Sequence, residues 1–123
     1  MQVHVNGDSV ENILAIGTAL HRLVGEHAAR EFKAFVVFRG AAPEGTLKKV
    51  EELELTSVGW AAIGADGKDA KGKSVPQLYG LSSDASVKNT VLVYDGPKHT
   101  VRSKFVNLTA DDLGKLEAAV KGM

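Results

Sequence analysis

The residues of this chain that could do chemistry are few, and most stand alone. The run Gly67-Lys-Asp-Ala-Lys-Gly72-Lys73-Ser74 fits the pattern G-x-x-x-x-G-K-[ST], and the apolar stretch 91–95 ends in Asp95. Read literally, backbone amides would cradle phosphates, Lys73 would reach them, and Ser74 with Asp95 would hold magnesium. A phosphate loop must open a long helix, whose free amides and dipole bind the anion. Pro76 and Gly80 leave room for about one turn, so nucleotide binding is not expected and a solvated connection is. The histidines His4, His21, His27 and His99 are scattered, with no i, i+4 pair to place two metal ligands on one helical face, and surface positions are expected for them. Asp66 and Asp69 lack the spacing and terminal Glu of a calcium loop. Serines 9, 57, 74, 82, 83, 86 and 103 lack nucleophile-elbow glycines. Arg39, closing the apolar run 35–38, is the charge to watch, because open α/β sheets bind ligands at the carboxyl ends of strands. Its bland reading is an ion pair with Glu44.

The composition narrows the classes further. The chain has 123 residues, 44% hydrophobic and 24% charged, which suits one domain over 1–123 with one core. Fifteen basic residues against fifteen acidic leave no net charge to attract nucleic acid or anionic lipid. No cysteine is present, so there is no disulfide, thiolate nucleophile or thiolate-bound metal, and redox chemistry says nothing of the compartment. No apolar run approaches the ~20 residues of a membrane span, and Met1 leads straight into strand-like residues without a signal-peptide core. A soluble chain is expected, either cytoplasmic or exported with its signal removed.

The elements that must position these groups follow from periodicity. Val3 and Val5 alternate with polar neighbours before the turn pair Asn6-Gly7. Asp8 offers an N-cap, with Glu11 completing a capping-box-like start, and Val10, Ile13, Leu14, Gly17, Leu20 and Val24 mark one face of a helix ending near Arg30. Residues 34–38 lack polar alternation and predict a central strand covered on both faces, Phe35 and Val37 on one side, Val36 and Phe38 on the other. A second helix starts near Pro43 to Thr46 with Leu47, Val50, Leu53 and Leu55 inward. Val58 to Ile63 is a third strand with Trp60 as a core or sheet-face aromatic. Residues 64–74 form a loop, and Val75 to Tyr79 allows a helical turn stopped by Gly80. Residues 90–95 and 100–106 are strands so close that only an antiparallel hairpin over Gly96-Pro97-Lys98 can join them. Thr109 caps the last helix, with Asp111 and Asp112 in its first turn, a Leu108–Leu113 staple, Leu116 and Val120 inward, and Gly122 as its stop.

This order, β-α-β-α-β-(short α)-β-β-α, resembles the thioredoxin-like superfamily, which includes the peroxiredoxins. AFVVFRGAAPEG lies where the family's strand enters its active-site loop, YGLSSDASVKNTVLVYDG resembles the segment through the fourth strand, and TVRSKFVNLTADDLGKLEAAV resembles the fifth strand and final helix. The resemblance implies a three-layer α/β/α sandwich around a mixed sheet. It also implies a former active-site region at Arg39, Pro43, Glu44, Thr46, Asn89 and Thr90. The cysteines are absent from Pro43 to Thr46, and Asn89 replaces the family's cis-proline. The expected role is therefore a non-redox binding or structural module, with an unknown protein partner or self-association and no cofactor. The alternatives are a subunit of a homo-oligomeric assembly, or an enzyme whose chemistry has moved to Arg39, Thr46, Asn89 and Thr90.

Overall fold

The computed structural model describes residues 1–30, 32–75, 81, 86–95 and 100–122. The strands are β1 (Gln2–Val5), β2 (Ala34–Arg39), β3 (Val58–Ile63), β4 (Asn89–Asp95) and β5 (Thr100–Val106). The helices are α1 (Val10–Glu26), α2 (Thr46–Glu52) and α3 (Leu113–Lys121), with 3₁₀ turns at Ala28–Arg30 and Ala110–Asp112. The chain is thus α/β around a five-stranded mixed sheet of order β3-β2-β1-β4-β5. β1, β2 and β3 run parallel, while β4 runs antiparallel to both β1 and β5. The hairpin expected from the short connection is present, with a register shift between Val93 and Tyr94. Its turn at 96–98 and the helical turn expected over 76–79 lie outside the described residues.

One face of the sheet carries the core. Val3 and Val5 of β1, Val36 and Phe38 of β2, Val58 of β3, and Val91 and Val93 of β4 meet Ile13, Ile16, Leu20 and Leu23 of α1 and Leu116 and Val120 of α3. α1 is flanked by α2 and by α3, so the three helices form one layer on that face, and Arg22 of α1 pairs with Glu117 of α3 across it. Trp60 joins this layer, its ring stacked on Phe38 with centroids 6.1 Å apart and its Nε1 donating to the Leu55 carbonyl at 3.4 Å. A Cβ at residue 17 would lie 2.8 Å from the tip of that ring, so Gly17 is what lets α1 sit so close to β3.

Three sequence expectations change. The middle strand is β1, not β2. Phe35 is 43% exposed and Val37 half-buried, whereas Ala34, Val36 and Phe38 are buried, because the helices cover only that second set. In α2, Leu47 and Leu53 are exposed rather than inward, and Thr46 and Leu55 supply the buried contacts, since this helix packs beside α1. α1 is capped by Ser9, whose Oγ accepts the Asn12 amide at 3.2 Å, while Asp8 accepts the Ser9 amide. Its buried face takes Ile16 and Leu23 in place of Leu14 and Val24, which are half-buried. The last helix follows expectation, with a capping box between Thr109 and Asp112 and with Leu116 and Val120 fully buried.

The two faces of β2 therefore differ in what they tolerate. Val36→Asp, which buries an unpaired carboxylate at a 1% exposed site, is expected to abolish the cooperative melt. Val37→Asp, on the open face, is expected to cost roughly half as much or less and to leave a folded domain by circular dichroism.

Candidate functional site

The face of the sheet away from the helices is polar at its centre and open at one end. Gln2 and His4 of β1, Val37 and Arg39 of β2, Ile63 of β3, and Thr90, Leu92 and Tyr94 of β4 project from it, by strand alternation and by the pairing of His4 with Val37 and with Thr90. His4, Thr90 and Leu92 are 9%, 3% and 2% exposed, so the middle of this face is covered too. Val75, Leu81 and Val87, from the stretch that joins β3 to β4, meet it there.

Between these residues and the strand ends lies a half-open cleft of ≈ 380 Å³, open solvent included. It sits where β1 ends at Val5-Asn6, β2 at Arg39 and β3 at Ile63, with Thr90 from the start of β4 closing one side. This is the position at which open α/β sheets receive ligands. Its wall is apolar through Val37, Ile63, Val75, Leu81 and Val87, and four polar residues interrupt it: His4, Asn6, Arg39 and Thr90. Among the described residues of the lining Arg39 is the only charged one, and its Nε donates to the Ala65 carbonyl at 3.2 Å rather than pairing with Glu44. The His4 ring nitrogen Nε2 stands 3.0 Å from Gln2 Oε1. Burial lowers the pKa of His4 from 6.5 to about 4, so the ring is neutral at pH 7. Such a ring can donate and accept hydrogen bonds but is a poor base at neutral pH.

Of the six residues of the expected active-site region, only Arg39 and Thr90 meet here. Pro43, Glu44 and Thr46 belong to the turn that opens α2, where the Thr46 amide donates to the Pro43 carbonyl at 3.1 Å. The buried Thr46 Oγ1 finds no hydrogen-bond partner among the described residues. Asn89 faces the opposite side, towards the helices. Its Nδ2 donates to Asp8 Oδ2 at 2.7 Å and to the Leu108 carbonyl at 3.0 Å, and its Oδ1 accepts the Leu108 amide at 2.9 Å. Asn12 of α1 donates to the same two oxygens, at 2.7 and 2.8 Å. This knot joins the β1–α1 turn, the start of β4 and the chain after β5.

His4 corrects the expectation of surface histidines. It sits in the middle strand, between β2 and β4 and with the helices on the other face, and its burial follows from that sheet order. The sequence offered only a weak signal, a histidine flanked by two inward valines.

The segment 67–74 is a turn most of whose amides are already occupied. Lys68 and Ser74 form an antiparallel bridge, and Asp69 Oδ1 accepts the amides of Lys71 and Lys73 at 2.9 and 3.0 Å. The Gly72 amide donates to the Asp69 carbonyl at 3.0 Å, and Asp66 Oδ1 accepts the Lys68 amide at 3.0 Å. A phosphate here would have to displace the Asp69 carboxylate. His99 and the side chain of Asp95 lie outside the described residues. Among those described, no helix is long and apolar enough to cross a membrane.

Two outcomes are expected. Asn89→Ala, which strands the buried Leu108 amide, should lower stability by about 2–4 kcal/mol in urea unfolding. The His4 pKa is depressed in the fold, so its contribution is complete above pH 6.5 and is lost as pH falls towards 4. The parent should thus lose up to about 3 kcal/mol more than His4→Gln between pH 7 and pH 4. Equal losses in urea unfolding at the two pH values would show that the ring titrates freely.

No protein-family model, curated protein sequence or solved structure matches this chain, so the geometry of the cleft is what bears on its function.

Proposed function

We propose that this chain is a thioredoxin-like domain without thiol chemistry that works as a binding module, and that the cleft at the carboxyl ends of β1, β2 and β3 is its ligand site. The observation that carries this reading is the convergence of Arg39, His4 and Thr90 on a largely apolar wall at those strand ends. A single cation at an apolar cleft suits a small amphipathic anion, with its carboxylate at Arg39 and its hydrocarbon part against Val37, Ile63 and Val75.

Binding is favoured over catalysis by the groups present. The chain has no cysteine, and the buried histidine of the cleft has a pKa of about 4, far from the value a general base needs at neutral pH. The thioredoxin-like reading itself is supported by the mixed sheet, by the β4–β5 hairpin leading into a final helix, and by the burial of Leu92 and His4 on the face opposite the helices. Val75, Leu81 and Val87 meet that face.

The test is titration of ¹⁵N-labelled protein with hexanoate and phenylacetate, with Mg-ATP as a third arm. The carboxylates should shift the amides of Asn6, Ile63 and Thr90, and Mg-ATP should leave those of 67–74 in place. Arg39→Ala should weaken carboxylate binding at least ~10-fold. It should change stability by under ~1 kcal/mol, since the residue is only partly buried and gives up one hydrogen bond. Cleft amides that ignore both carboxylates, or binding that survives Arg39→Ala, would overturn the proposal.

A further inference from the structure

The sheet has two edges, β3 and β5, and they are built differently. β5 carries the exposed cations Arg102 and Lys104, and its pairing with β4 is broken by a register shift. These are the devices by which proteins keep an edge strand from pairing with another chain. β3 has none of them. Its sequence, VGWAAI, holds no charge and no proline, and it pairs with β2 through six residues without interruption. Ala61 and Ala62 are exposed along it.

The exposed apolar side chains gather on the same flank. Of five large ones among the described residues, Phe35 (43% exposed) belongs to β2, Leu47 (56%) belongs to α2, Leu53 (51%) is the residue just after it, and Val101 and Val106 belong to β5. α2 lies on the β3 side of α1, since α3 occupies the other side and Leu55, just beyond α2, takes the Trp60 hydrogen bond. The Phe35 ring covers Gly59, where a Cβ would come within 2.5 Å of it, so the apolar surface continues from β2 onto β3.

We propose that β3 is the pairing edge of a two-fold homodimer, in which two copies join their sheets antiparallel about Ala61 and set their α2 helices side by side. Two observations favour a second copy over an unrelated partner. The first is charge complementarity within α2, whose exposed Lys48 and Lys49 precede the exposed Glu51 and Glu52, Lys49 and Glu52 standing 3.3 Å apart in a solvent-exposed pair that can exchange for one across the axis. A two-fold axis perpendicular to the sheet reverses one α2 against the other, bringing each lysine pair to the mate's glutamate pair. A partner of uniform charge would oppose half of that helix. The second is the size pattern of β3 against itself. An axis at Ala61 keeps each residue on its own face and sets Trp60 opposite Ala62 of the second copy and Gly59 opposite its Ile63, large against small. An axis at Trp60 would set the two indoles face to face. The formal charge of zero leaves no net repulsion between copies.

This inference rests on the edge and not on the cleft, so Arg39→Ala should leave it untouched. The test is native mass by sedimentation from micromolar to millimolar protein, together with cysteine reporters in a chain that has no other cysteine. The parent should show twice the 13.0 kDa of one chain. Ala61→Lys, which sets two cations against each other on the axis, should raise the dissociation constant at least ~100-fold with a cooperative melt retained. Residues opposite each other in an antiparallel pair have Cα atoms about 4.5–5.5 Å apart, within the roughly 4.4–6.8 Å that a disulfide spans. Ala61→Cys should therefore give a covalent dimer under mild oxidation, and Arg102→Cys on the opposite edge should not. Should Ala61→Lys fail to fold, the cysteine pair decides alone. A parent that is monomeric throughout, a dimer that survives Ala61→Lys, or equal cross-linking at the two edges would overturn the proposal.

Discussion

A single buried amide holds the two halves of this fold in register. Asn89, 1% exposed, reaches from the first residue of β4 to the β1–α1 turn through Asp8 and to the chain beyond β5 through Leu108. Within the sheet the parallel half, β1 to β3, meets the antiparallel hairpin along the β1–β4 pairing, and Asn89 lies at the end of it opposite Val5. Its backbone carbonyl accepts the Asn107 amide at 2.9 Å, so main chain and side chain act together. Asn107, at φ 54°, turns the chain there, and its Oδ1 accepts the Lys88 amide at 2.6 Å. A buried amide is costly unless satisfied, and here all of these donors and acceptors find partners on different elements, which makes the knot specific to one arrangement of the sheet.

That arrangement sets the chemistry of the two faces. With the helices in one layer, the face they cover is wholly apolar at its centre, and Trp60, Phe38 and Gly17 close it on the β3 side. The other face keeps polar groups because its centre is covered and its end is not. His4 is buried enough to lose its charge, whereas Arg39, one residue beyond the covered part of β2, remains partly exposed. A neutral ring, a hydroxyl and a guanidinium on a largely apolar wall can orient a ligand.

Much was legible from periodicity and turn chemistry. β3 and β5 begin and end where alternation and turn residues place them, the hairpin follows from a connection too short for a crossover, and the last helix is set by Thr109, Asp112 and Gly122. The absence of cysteine excludes thiol chemistry outright. The candidate site was legible only in part. Arg39 stood out as a charge ending an apolar strand, and Thr90 came with the start of β4, but Pro43, Glu44, Thr46 and Asn89 do not share their cleft. His4 was missed, since the two inward valines beside it place it on the other face of the strand without telling whether that face is covered.

Local sequence determined which segments are helix and strand, because capping, turn residues and hydrophobic period act within a few residues of themselves. Only the tertiary structure decided that β1 is the middle strand, that Leu47 and Leu53 face outward, and that Asn89 looks towards the helices while Thr90 looks into the cleft. These depend on the order in which strands pair and on which side of the sheet each helix lies. Such choices are made by contacts between residues tens of positions apart, His4 with Val37 and Thr90 or Asp8 with Asn89, and no local pattern encodes them.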